Sequence, residues 1–186
     1  MNLDACIHER RSVRAYLPKP VPREIIESVL EAGTWAPTGM GSEPWRFVVI
    51  EDPAVIRYAS EETKRAARQT RQPMTERFAT DKDVICYEAP VLILVCAEES
   101  EIPILERVRL LDCVLAAQNM FLKAYELGLG TCYMGYIDAF LTQPDILKKL
   151  GVPDGYQLMV PFVLGYPKNK QGAGARKKPI ILNWFS

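Results

Sequence analysis

Histidine is almost missing from this 186-residue chain, with His8 the only one. A Ser-His-Asp triad would have to run through it, and nothing around it supplies the partners. The five cysteines, Cys6, Cys86, Cys96, Cys113 and Cys132, include no C-x-x-C pair. One imidazole and unpaired thiols make a metal centre unexpected. The odd cysteine count does not suit a disulfide framework, so the thiols read as reduced, which fits a cytoplasmic setting. Positive charge is not in surplus, because Lys+Arg and Asp+Glu both number 23. A nucleic-acid partner, which needs cations against phosphates, is therefore not expected. A net charge of zero does little to keep copies apart, so self-association is in keeping with it. The longest apolar run, residues 89–97, falls far short of the roughly 20 residues that cross a membrane. The amino-terminal segment is polar and charged, which argues against a signal peptide. No G-x-G-x-x-G follows a strand, so no Rossmann site for a dinucleotide is expected.

What remains is a chain 48% hydrophobic, with 14 prolines and 11 glycines as punctuation. Neither an internal repeat nor a second apolar block is visible, so residues 1–186 read as one domain. Helices are expected from residue 3 to about 10 and from 22 or 23 to Gly33. Ile25, Ile26, Val29, Leu30 and Ala32 form the apolar stripe of the second. Pro18, Pro20 and Pro22 keep the chain extended between them. Small residues make 37–44 a loop, and 46–50 a strand. Residues 54–80 are charged and read as a solvated or lid-like helix pair broken at Pro73. Residues 91–97 read as a central buried strand. The longest helix is expected over 108–127, with Leu111, Val114, Leu115, Gln118, Phe121, Leu122 and Tyr125 at three-four spacing and Gly128 as the stop. It could serve the core, a dimer contact or both. A turn over 128–135 leads into a strand, a short helix covers 144–150, and a strand covers 156–164. From Lys168 the tail is basic and glycine-rich, then apolar over 179–185. Without a strict βαβ rhythm, this order fits an α+β sandwich with helices around a largely antiparallel or mixed sheet.

Three clusters carry possible chemistry. Arg10, Arg11, Ser12 and Arg14 fall at a helix end, and guanidinium forks with a hydroxyl suit a phosphate dianion. A solvated basic patch has the same composition. In 36–45, prolines fix the loop ends, while Gly39 and Gly41 permit close backbone approach to something flat. Trp45, and Trp35 on its helix face, read as core anchors. The turn at 128–135 offers backbone amides, and Arg176, Lys177 and Lys178 offer cations.

The order of these clusters is more telling than any one of them. Arg10-Arg-Ser-x-Arg14 comes first, then Ala36-Pro-Thr-(x)5-Pro-Trp45. Gln118-Asn-Met120 follows, ahead of Gly128-Leu-Gly-Thr-Cys-Tyr133. Gly165-Tyr-Pro167 and Arg176-Lys-Lys-Pro179 complete the set, which resembles the nitroreductase family of FMN enzymes from about residue 3 to 180. The resemblance implies a homodimer with two FMN sites between its copies. It implies that Arg10, Arg11, Ser12 and Arg14 take the phosphate, the ribityl chain and the ring edge, and that Arg176 and Lys178 close on the phosphate. Pro37, Thr38 and Gly39 would come from the other copy. Tyr133, Met134 and Gly135 would line the opposite side of the ring, with backbone amides toward N5, and residues 180–185 would wrap onto the partner. The implied activity passes hydride from NADH or NADPH through flavin N5 to a small acceptor such as a nitroaromatic or quinone, in alternating half-reactions. Gly41 and Glu43 stand where the family usually has Asn and Gln, which makes both substrate-side candidates. A non-catalytic FMN sensor or store, and a dehalogenase or dehydrogenase on the same fold, are the rival readings.

Overall fold

The computed structural model describes residues 2–70, 73–169, 172 and 174–185. Residues 71–72 of the expected helix pair and Ser186 at the end of the expected tail lie outside them.

Four strands form one sheet: β1 (Arg46–Ile50), β2 (Val91–Glu98), β3 (Gly130–Tyr133) and β4 (Tyr156–Gly165), in the spatial order β1-β2-β4-β3. All three pairings are antiparallel. The sheet is flanked by α1 (Leu3–Glu9), α2 (Arg23–Thr34), α3 (Pro53–Gln69), α4 (Pro103–Glu126), α5 (Gly135–Phe140) and α6 (Pro144–Lys149). Strand β2 shows why the molecule has three layers. Its residues 91–97 are all buried, and successive side chains of a strand face opposite ways. Leu92, Leu94 and Cys96 join a core shared with Ile56 and Ala59 of α3, Ile137 of α5 and Leu147 of α6. Val91, Ile93 and Val95 join the other core, with Val29 of α2 and Ala116, Ala117 and Met120 of α4. The α2–α4 crossing is tight, because a Cβ on Gly33 would lie 3.0 Å from Met120 Cγ.

Local chemistry sets the helix starts. Asn2 Oδ1 accepts from Ala5 N at 2.8 Å, and Asp52 Oδ1 accepts from Ala54 N at 2.8 Å with Pro53 at the first helical position. Gly128, at φ 77°, follows the end of α4. Lys64 is fully buried, and its ammonium donates to Glu61 Oε1 (2.9 Å), Thr80 O (3.1 Å) and Lys82 O (2.7 Å). All three N–H groups are spent, which is what a charge needs in order to stay buried.

Five sequence expectations change. The charged 54–80 stretch is one long helix and a 3₁₀ turn (Pro73–Phe78), and α3 buries Ile56, Ala59, Ser60, Thr63, Lys64 and Ala67 against the core. Helix α4 starts at Pro103, earlier than expected. Its inward face is Asp112, Cys113, Ala116, Ala117, Met120 and Ala124, while Leu111, Val114 and Leu115 are exposed. Small residues let that face lie close on the sheet, and the larger apolar ones are left outside. Trp35 is 80% exposed rather than a core anchor, since it caps α2 past the last buried turn. The expected 128–135 turn itself contains strand β3, and Gly135 opens α5 where a strand was expected to follow. Trp45 is buried.

All five cysteines are buried, and burial pushes the Cys96 and Cys113 thiols up to about 12. The folded chain is therefore expected to react slowly with a thiol-specific chromogenic disulfide at pH 8, and all five to react at once in denaturant. Rapid native release from Cys96 or Cys113 would contradict this packing.

Candidate active site

A short strap of main chain organises the site. Ser12 forms a parallel bridge with Thr131 of β3, and Val13 N donates to Thr131 O at 2.9 Å. Leu17 N donates to Tyr166 O and Lys168 N to Ala15 O, each at 2.9 Å. Gly130 permits the approach, since a Cβ there would lie 2.4 Å from Val13 Cγ2. Val13 and Tyr16 turn inward, and Tyr16 Oη donates to Val13 O at 2.9 Å. Burial raises the Tyr16 pKa, so the phenol stays a neutral donor. Arg14 is left exposed between these two buried side chains.

The strap divides its cations between two clefts. At one end, Arg10 and Arg11 line a cavity of about 220 Å³ with Tyr125, Gly128 and Thr131. Arg10 Nε is buried and has no hydrogen-bond partner. Burial, then Arg11 and Arg176, hold the Arg10 guanidinium below its ordinary pKa. Arg11 donates to Gly174 O at 3.3 Å, which brings the 174–176 segment to the cluster. The nearby carboxylate of Glu9 accepts from Tyr125 Oη at 2.8 Å. None of the three guanidiniums forms an ion pair among the described residues. A half-buried guanidinium repelled by two others, with Glu9 the one carboxylate among the described residues lining the cavity, makes a site fit for a dianion. Lys178 is exposed.

At the other end, Arg14 lines a cleft of about 910 Å³ with Tyr87, Cys132, Tyr133, Met134 and Gly135. Cys132 on this cleft feels the charges of both Arg14 and Arg10, so the two clefts adjoin at the strap. Arg14 adjoins the Tyr87 phenol, whose pKa is raised chiefly by burial and pulled back by the guanidinium. The Cys132 thiol donates to Tyr133 O at 3.6 Å, and burial pushes its pKa up. Tyr133 Oη donates to Asp138 Oδ2 at 2.6 Å, and burial followed by that bond raises its pKa. The Met134 amide donates to Pro161 O at 2.9 Å, so it is not free to face a ligand as expected. Gly135 opens α5, where a first-turn amide has no helical partner.

Residues that sequence reasoning passed over hold this cleft. Tyr87 and Glu88 both have left-handed backbone, φ 58° and 55°. Asp83 pins that turn by accepting from Ser60 Oγ (2.6 Å), Ile85 N (3.1 Å), Cys86 N (2.8 Å) and Glu88 N (3.1 Å). Two consecutive strained residues beside a cleft persist only where such bonds over-determine them. Arg77 and Tyr136 also line the cleft. No motif marks these positions, although an Asp two to five residues ahead of the amides it caps is a readable turn signal.

The 37–44 loop stands apart from both clefts of its own chain, and Pro37, Thr38, Gly39, Gly41 and Glu43 line neither. It is tied to α4: Gly39 N donates to Asp112 Oδ1 (3.2 Å) and Oδ2 (3.1 Å), and Ser42 Oγ to Oδ2 (3.4 Å). Met40, Gly41 and Glu43 have φ of 56°, 65° and 43°, and all three are exposed.

The nitroreductase family model matches residues 7–166. The chain belongs to the nitroreductase family. A Methanothermobacter thermautotrophicus protein named for NADH dehydrogenase or NAD(P)H nitroreductase activity is 28% identical over 178 residues, 92% of this chain and 81% of the relative. A Thermotoga neapolitana iodotyrosine deiodinase is 28% identical over 184 residues, 93% of this chain and 92% of that one. Among solved structures, a Bacteroides fragilis nitroreductase with bound FMN superposes with a TM-score of 0.81 at 29% identity, covering 100% of this chain and 98% of the other. These matches place the α+β sandwich in the nitroreductase fold.

Replacing Asp112 with Ala strands the Gly39 amide and Ser42, at an expected cost of about 1–3 kcal/mol. Urea denaturation should show the loss, with Asp112→Asn recovering part of it. Unchanged stability in Asp112→Ala would mean that these bonds do not hold the loop.

Proposed function

We propose that the chain is an FMN-dependent oxidoreductase that passes electrons from NADH or NADPH to a small organic acceptor, working as a homodimer in the cytoplasm. The observation that carries this reading is Arg10 Nε, a buried donor without an acceptor beside two further guanidiniums. Arg10, Arg11 and Arg176 would take the phosphate, with Ser12 and Lys178 beside them. Arg14, Tyr133, Met134 and Gly135 would border the ring. Bound FMN supplies the hydride and electron transfer, which the side chains do not have to provide. Arg14 is a cation in the ring-side cleft and favours negative charge built up there. Tyr87 orients Arg14, and Asp83 holds Tyr87 in place.

Two features support the dimer. The α4 residues Leu110, Leu111, Val114 and Leu115 form an exposed apolar ridge, and Ile180, Leu182, Trp184 and Phe185 of the tail are exposed as well. Apolar surface of this extent is what an interface covers. Pro37, Thr38 and Gly39 miss the clefts of their own chain, and a second copy is the means by which they would meet one. The acceptor is taken to be a nitroaromatic or quinone, with Gly41 and Glu43 on its side. Dehalogenation is the second reading, favoured by the Thermotoga neapolitana deiodinase that matches this chain along nearly its whole length.

Purified protein is expected to be yellow, to bleach anaerobically with NADH or NADPH, and to scatter light as a dimer. Arg10→Ala removes a charge-assisted contact worth about 1.5–3 kcal/mol, roughly a 10- to 150-fold loss of FMN affinity. Equal FMN affinity in the variant would sink the phosphate assignment, and a monomer that binds FMN tightly would sink the shared site.

A further inference from the structure

We infer that Arg77 is an anion-recognising residue for the acceptor, so that the ring-side cleft prefers flat aromatic acceptors bearing a carboxylate or phenolate. The inference rests on the reading that flavin occupies that cleft.

The charge of the cleft comes first. Its described lining contains two guanidiniums, Arg14 and Arg77, and no aspartate or glutamate. Neither guanidinium has an ion-pair partner among the described residues. Arg14 adjoins the Tyr87 phenol and stands on the strap. Arg77 acts on the same Tyr87 phenol through its charge, without a hydrogen bond to it. It comes from the Pro73–Phe78 turn, on a different wall of the cleft.

Aromatic rings hold Arg77 in place. Its Cζ lies 4.7 Å from the Tyr136 ring centroid and 5.2 Å from that of Phe78. Phe78 is fully buried and meets Tyr136 edge-on at 4.9 Å, and Tyr136 stacks on Phe140 at 6.2 Å with the planes 5° apart. A ring face attracts a guanidinium but takes up little of its hydrogen bonding, so the fork stays available for a carboxylate. Seating against two rings also restricts the side chain before any ligand arrives, which lowers the entropy lost on binding. Tyr136, Ala139 and Phe140 line the cleft next to it, a wall suited to an aryl ring. A neutral acceptor would leave Arg77 facing an apolar ligand, and an anionic one would neutralise it.

A phosphate of the nicotinamide reductant has the same anionic character, so the test separates the two sources. FMN-loaded protein is titrated with benzoate and with benzamide, its neutral near-isostere, and binding is read from the perturbed flavin absorbance at equilibrium. Benzoate is expected to bind about tenfold or more tighter, the scale of a charge-assisted contact. Arg77→Gln should abolish that preference while benzamide affinity holds within about twofold, and Arg77→Lys should restore part of it by keeping the charge without the fork. Flavin content and circular dichroism verify that the variants are folded and loaded. Equal affinity for the two probes in the unaltered protein overturns the inference, as does a preference that survives in Arg77→Gln. So does an Arg77→Gln protein that loses affinity for NADPH yet keeps the benzoate preference, which would assign the residue to the reductant. Colourless protein overturns the flavin reading and this one with it. Yellow protein without benzoate preference overturns this one alone.

Discussion

The close approach of the 12–17 strap to the β3–β4 edge is the constraint on which the rest of the site depends. Val13 must reach Thr131 across a position where even a methyl group would collide, and Gly130 leaves that position empty. Once the strap is seated, its extended backbone does the sorting. Val13 and Tyr16 enter the core, Arg10 and Arg11 fall toward the α1–α4 end, and Arg14 falls toward α5. A single backbone register thus sends Arg10 and Arg11 to one cleft and Arg14 to the other.

The surroundings stabilise that division at a distance. Lys64 and Ser60, both buried on α3, tie the 80–88 segment to the core through Thr80, Lys82 and Asp83. Asp83 fixes the strained pair that carries Tyr87, and Tyr87 meets Arg14. Asp112 does the same for the 37–42 loop from α4. In both places an acid, buried at Asp112 and half-buried at Asp83, holds main-chain amides and sets an irregular segment on a rigid element.

Much of this was legible in the sequence, and what escaped has physical causes. Strand β2 was readable because both its faces are buried and its residues are uniformly apolar. Both ends of α2 and the stop of α4 were readable from proline and glycine, whose backbone preferences act locally, while the α4 start at Pro103 was missed. The inward face of α4 was not, because the helix is apolar nearly all round, and periodicity cannot rank Leu111 against Ala116. Trp35 was misplaced because helix-face reasoning assumes that every apolar residue serves its own core. The six-residue α5 was too short for any pattern to emerge. Arg10, Arg11, Ser12 and Arg14 stood out as a block, but their split between two clefts depends on the strap, a tertiary contact. Asp83, Tyr87, Arg77 and Asp112 are ordinary residues in sequence, and they matter only through distant partners.

The repulsion between Arg10 and Arg176 reaches beyond the pocket. The two residues come from near opposite ends of the chain, and the only described hydrogen bond across their cluster is that from Arg11 to Gly174. Like charges meeting there oppose the docking of that stretch, and on the proposed reading an anion between them would draw it in. Digestibility of the carboxyl-terminal arm thereby becomes a gauge of occupancy. Trypsin should trim the Arg176–Lys178 bonds readily from an empty chain and spare them in a filled one.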